Sequence, residues 1–109
     1  EYNGSIPPLL KNTLDWCSRP LPDDRPYAAT RGRVVGLLSA SAGALGGLRG
    51  LRHVREIMTN LQALVLPEQF ALGRADKALA QGVQGLAEGD RDKARGIGAR
   101  VAEVAGKLA

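Results

Sequence analysis

RVVGLLSASAGALGGLRGLRHVREIMTNLQALVLP, residues 33–67, holds two apolar runs with an amphipathic segment between them. The first run, Val34-Val35-Gly36-Leu37-Leu38, shows no alternation, the pattern of a strand buried on both faces of a parallel sheet. A glycine-containing loop follows. Leu48, Leu51, Val54, Ile57, Met58 and Leu61 then recur every three or four residues, while Arg49, Arg52, Arg55, Glu56 and Asn60 fill the other positions, which predicts a helix with one apolar face. The second run, Ala63-Leu64-Val65-Leu66, is bounded by Pro67. Strand, helix and strand in that order predict two parallel strands joined by a crossover, and so an α/β class.

Upstream, Ser5 precedes Ile6-Pro7-Pro8, and prolines are compatible with a first helical turn whose amides have no partner. A helix is predicted over 7–18, with Leu9, Leu10, Leu14 and Cys17 on one side and Pro20 and Pro22 ending it. Residues 19–32, with three prolines, two aspartates, three arginines and a glycine, read as an exposed connection. Downstream, Ala75, Ala78 and Leu79 begin a helix that Gly82, Gly85 and Gly89 weaken, and a break is expected near Gly89-Asp90. Beyond it, Ile97, Val101, Val104 and Leu108 form a stripe that must dock on something.

The length of 109 residues allows one small domain, and 44% hydrophobic residues with four aromatics predict an aliphatic core. The net charge of +4 and Arg49, Arg52 and Arg55 would mark a place for an anionic partner. Aromatic side chains that would stack on bases are nearly absent, so no nucleic acid is expected. Cys17 is the single cysteine, which excludes a disulfide framework and a cysteine-based metal cluster; it is expected to be a small buried side chain in a reducing, cytoplasmic compartment. No apolar run has the length of a membrane span, and no signal-peptide pattern is present. Glu1 opens directly on a loop, so residues 1–109 are expected to be part of a longer domain.

Ligands of open α/β sheets bind beyond the carboxyl ends of the strands, where Ser39-Ala40-Ser41-Ala42-Gly43-Ala44-Leu45-Gly46-Gly47 lies. Three glycines within five residues let main-chain amides approach a flat ligand, and two serines add hydroxyls. The same glycines also suit a tight strand-to-helix turn, and spacing alone leaves both readings open. The G-x-x-G-G spacing is not the dinucleotide fingerprint, and no Gly-Lys-Ser/Thr phosphate loop is present.

Two segments carry a resemblance. Ser39, Ser41, Gly43, Gly46 and Gly47 match the Ser-x-Ser-x-Gly-x-x-Gly-Gly strand end of the NAD(P)H-dependent FMN reductases. Tyr2, Asn3, Leu10, Lys11, Asn12, Asp15 and Trp16 match that family's Tyr-Asn loop and Leu-Lys-Asn-x-x-Asp-Trp helix. The chain, chiefly over residues 1–72, resembles the C-terminal part of this flavodoxin-like family, which includes quinone and azo-dye reductases. The resemblance implies a three-layer sandwich with strand order 2-1-3-4-5, of which these would be strands four and five. It further implies FMN as cofactor, with backbone amides around Glu1, Tyr2 and Asn3 at the polar edge of the isoalloxazine ring and the glycine loop beside it. NADPH or NADH would donate hydride, and a quinone, azo compound or similar small molecule would accept the electrons.

By the same resemblance Lys11, Asp15 and Trp16 belong to the interface of a homodimer or tetramer, although Lys11 and Asp15, four apart on a helix, also suit a surface ion pair. Tyr2 is compatible with a subunit contact as well. The family's proline before Glu1 and its Gly-Ser-x-Arg-x-x-Ser phosphate loop are not among these residues. No catalytic side chain or metal is expected, since the cofactor carries the redox chemistry. His53 reads as a surface or interface histidine, and Glu68 and Gln69 as residues just past the second strand.

Two rivals stand beside the reductase: a non-catalytic module binding an anionic partner, and a half-domain serving as an oligomerisation surface. A lone pair of parallel strands leaves an edge unpaired and faces uncovered, so marginal stability is expected.

Overall fold

The computed structural model describes residues 1–109. Helix α1 spans Pro8–Cys17, strand β1 Val34–Ala40, helix α2 Leu48–Asn60, strand β2 Leu64–Leu72, helix α3 Ala75–Ala78 and helix α4 Glu88–Leu108, with a 3-10 turn at Val83–Gly85. β1 and β2 pair in parallel as a two-stranded sheet, with α2 as the crossover. α2 and α4 each pack on both strands. They take opposite faces. Ser39 turns its hydroxyl to the loop that leads into α2, whereas a Cβ on Gly36 would lie 2.6 Å from Ile97 Cγ2 and 2.9 Å from Val101 Cγ2 of α4. Leu37, Leu51, Leu61, Leu66, Leu72, Leu86 and Ile97 form the core, which is aliphatic throughout.

The second strand does not stop at Pro67. Register runs Val34 to Leu64 and Val35 to Val65, then resumes at Leu37 to Gln69, so Leu66, Pro67 and Glu68 stand opposite Gly36 alone. This bulge accommodates a residue with no amide to donate. Arg55 of α2 holds it, donating to Leu66 O at 2.7 Å, Pro67 O at 3.3 Å and Gln69 Oε1 at 2.9 Å. Glu68 and Gln69 therefore lie inside β2, away from the sheet's carboxyl edge where they were expected.

β1 is not buried on both faces either, since Leu37 is buried but Leu38 is exposed. Leu64 N donates to Arg33 O and Ser41 N to Leu72 O, so odd-numbered main-chain groups of β1 face β2. Those of Val34, Gly36, Leu38 and Ala40 face an edge with no neighbouring strand.

α1 buries none of its residues, and Leu9 and Trp16 are exposed. Cys17 is exposed too, contrary to the buried side chain expected, because periodicity marks an apolar face without supplying anything to cover it. A disulfide-exchange reagent is expected to label Cys17 in native buffer within threefold of its rate in denaturant; protection beyond tenfold would show that α1 docks.

In the last third, the break falls over residues 79–87 and not at Gly89, which sits in the first turn of α4, where an amide needs no partner. Glu88 and Asp90 in that turn favour the helix start.

The accessible surface is 7447 Å², whereas a compact monomer of 11.5 kDa exposes roughly 5,800 Å². The radius of gyration is 15.4 Å against roughly 13 Å for a compact chain of this length. The open edge of β1 and the solvent-facing α1 account for the direction of both differences.

Candidate functional site

The chain opens with a tight hairpin. Tyr2 and Ser5 exchange both main-chain hydrogen bonds at 3.0 Å, and the two residues between them, Asn3 and Gly4, have φ of 50° and 80°. Positive φ at both central positions defines the turn for which Asn-Gly is the preferred pair.

This hairpin is fastened to the start of α2. The N-cap of α2 is Gly47, which has no side chain to cap the helix, and the first turn carries no acidic residue. Glu1 supplies the missing acceptor: its Oε2 takes a hydrogen bond from Gly50 N at 2.8 Å, and its Oε1 lies 3.6 Å from Arg49 Nη2. One turn along, Ser5 Oγ and His53 Nδ1 are 2.7 Å apart. Gly50 permits the approach, since a Cβ there would be 3.3 Å from Glu1 Oε2 and 3.6 Å from the carbonyl carbon of Ser5.

The glycine loop is knitted to both strand ends. Ser39 Oγ donates to Gly46 O at 2.6 Å, and Gly43 N donates to Ser41 Oγ at 3.1 Å. Arg74 N donates to Gly43 O and Ala75 N to Ser41 O, both at 3.0 Å, tying the loop to the residues after β2. Gly46 and Gly47 adopt φ of 62° and 88°. The amides of Ala42, Ala44, Leu45 and Gly47 donate to no protein acceptor, so the loop keeps four free donors.

The hairpin and the loop meet. Glu1, Ser39 and Gly47 line one cleft of about 220 Å³ at the carboxyl end of β1, with Leu10, Leu38 and Leu51 among its apolar walls. Tyr2 and Asn3 lie on the exposed hairpin outside that lining, and Ser41, Gly43 and Gly46 belong to the loop without lining the cleft. Lys11 and Asp15 pair with each other at 2.8 Å on exposed α1, beside Trp16. Sequence reasoning missed Ser5, Gly50 and the carboxylate of Glu1. The Asn-Gly pair was a readable hairpin signal, but nothing local to Glu1 announces a partner on α2.

The ionised networks lie elsewhere. On α4, hydrogen bonds from Lys107 and Arg100 hold the Glu103 carboxyl below the usual range. No three or more His, Cys, Asp or Glu side chains come together as a metal-binding group, and no helix is long and apolar enough to cross a membrane.

A parallel β-α-β unit with a glycine loop at the strand's carboxyl end defines an α/β protein consistent with part of a flavodoxin-like fold. The family model described as NADPH-dependent FMN reductase matches residues 1–77. The chain belongs to that family. It is 42% identical over 73 residues to a quinone reductase of Escherichia coli, covering 67% of this chain and 36% of the relative. It is 34% identical over 84 residues to an NAD(P)H-dependent FMN reductase of Pseudomonas aeruginosa, covering 75% and 43%. A 2-hydroxy-1,4-benzoquinone reductase of Burkholderia is 35% identical over 72 residues, covering 64% and 37%. The matched part of the chain thus spans 36–43% of the length of these relatives.

Proposed function

We propose that this chain supplies the ring-facing part of a flavin-dependent oxidoreductase, in which hydride passes from NADPH or NADH to FMN and electrons pass on to a quinone, azo compound or similar small acceptor. The observation that carries this reading is the convergence of two segments far apart in sequence, with Glu1, Ser39 and Gly47 lining one cleft. Membership of the family and the names of relatives that reduce quinones support it.

The residues fit the ring and not the phosphate. Gly46 and Gly47 remove Cβ atoms from the loop, and the free amides of Ala42, Ala44, Leu45 and Gly47 are donors suited to the oxygen and nitrogen atoms of a flat heterocycle. The helix terminus that would otherwise attract a phosphate already holds the Glu1 carboxylate. FMN, when bound, supplies the redox chemistry. The chain's part is to orient the ring: main-chain groups around Glu1, Tyr2 and Asn3 meet its polar edge, Ser39 and Ser41 hold the loop in shape, and Gly43 donates its amide to Ser41 within that loop. Lys11, Asp15 and Trp16 form a contact between subunits in this reading.

Fluorescence titration of the chain with FMN and with riboflavin tests it. Both are expected to be quenched, with dissociation constants within threefold of each other, because nothing here engages the phosphate. FMN binding more than tenfold tighter would mean a phosphate site exists, and no quenching by either flavin at millimolar concentration would sink the reading. A second reading, an oligomerisation surface without flavin, is favoured by the solvent-facing Leu9 and Trp16 of α1. Self-association with unchanged flavin fluorescence would support it.

A further inference from the structure

We propose that Glu1 is a positioning residue whose side chain, by capping α2, sets the distance between the hairpin and the glycine loop; the proposal rests on the flavin reading. α2 begins at a glycine, so it has no capping side chain of its own, and no acid stands in its first turn. The Glu1 carboxylate takes both roles from a segment 49 residues away, accepting the Gly50 amide while its negative charge faces the positive end of the helix. Its side chain is 12% exposed, with Arg49 as its ionic partner.

Gly47 is where the two segments are brought to one place. A Cβ there would lie 2.9 Å from Ser39 Oγ and 3.8 Å from Glu1 Oε2. Ser39 fixes the loop side of this glycine, through its bond to Gly46 O, and Glu1 fixes the hairpin side. The Ser5–His53 contact holds the far end of the hairpin, so removing the carboxylate leaves one side-chain hydrogen bond of two and frees the main chain of Glu1, Tyr2 and Asn3 to move relative to the loop. Glu1 acts here through its side chain, whereas its main chain is what faces the ligand.

The test compares Glu1→Ala, Glu1→Gln and Glu1→Asp with the unaltered chain, using riboflavin titration, the induced circular dichroism of bound flavin and amide exchange at Gly50. Glu1→Ala is expected to weaken riboflavin binding at least tenfold, to change the induced dichroism and to accelerate exchange at Gly50. Glu1→Gln keeps an acceptor of the same reach and is expected to restore binding to within threefold and to restore the dichroism band; a cap that merely stabilises the fold would move the melting temperature and leave that band alone. Should Glu1→Ala lose its fold, Glu1→Asp carries the test, since it keeps the charge but is one methylene too short to reach Gly50, and at least threefold weaker binding is expected. Glu1→Ala or Glu1→Asp binding riboflavin as the unaltered chain does, with Gly50 exchange accelerated, overturns the proposal alone. Absence of flavin binding by the unaltered chain overturns the flavin reading and the proposal with it.

Discussion

Replacing Gly46 with alanine is expected to destabilise the chain by about 2–5 kcal/mol. Gly46 has φ of 62°, where a Cβ costs roughly 1–2 kcal/mol in its own right. The new carbon would also lie 2.5 Å from the carbonyl carbon of Leu72, 2.6 Å from Gly73 N and 2.8 Å from the carbonyl carbon of Ala71. These are main-chain atoms of β2 and its exit, so no rotamer change relieves the overlap, and overpacking of this kind adds roughly 1–3 kcal/mol. Gly43 is the internal control: its Cβ would meet only Ser41 Oγ, at 3.5 Å, and its φ is not positive, so Gly43→Ala is expected to change stability by less than about 1 kcal/mol. Denaturant unfolding followed by circular dichroism measures both. A Gly46→Ala cost below that of Gly43→Ala would mean the loop is not seated on β2 as described.

Ile97→Ala is expected to remove the cover from one face of the sheet and to lower the melting temperature by about 10 °C or more, if a cooperative melt survives at all. Ile97 is the buried residue of α4, and its Cγ2 meets the gap left by Gly36. Truncating a buried isoleucine costs roughly 2–5 kcal/mol, set against a total of roughly 5–15 kcal/mol for ordinary domains. This chain buries 12 of its 109 residues, which places its own total at or below the bottom of that range. Leu108→Ala, at an exposed position of the same helix, is expected to shift stability by less than about 0.5 kcal/mol. Thermal scans of the two variants decide the matter, and a shift under 3 °C for Ile97→Ala would show that α4 is not the cover. A cooperative, high-melting transition of the unaltered chain would contradict the low total.

The β-α-β unit was legible because its signals are local and redundant: two apolar runs, a 3.6-residue stripe from Leu48 to Leu61 and glycines at the turn between them. The end of β2 was not, because Pro67 ordinarily stops a strand, and what carries the strand past it is Arg55, twelve residues upstream on a different element. Cys17 was misread for a related reason, since spacing identifies a face but the partner that covers a face lies elsewhere. Gly89 was taken as a break when a first-turn position tolerates it, and the residues that do interrupt the chain are Gly82, with φ of 73°, and Gly85. At the site, the glycine loop could be read from composition and position. The docking of the hairpin could not, as its acceptor and donor are distant in sequence and neither residue type is distinctive.

That distance also carries an entropic cost. Joining Ser39 to Gly46 closes a segment of seven residues, whereas joining Glu1 to Gly50 closes one of 49. The logarithmic part of the closure entropy is about 1.7 kcal/mol for the first and about 3.4 kcal/mol for the second. The glycine loop is therefore expected to assemble with β1 and α2 before the hairpin docks. The hairpin wall of the cleft is thus expected to open at lower cost than the β-α-β unit, and amide exchange faster at Tyr2 and Ser5 than in β1 would show a form that keeps its fold but has only half its site.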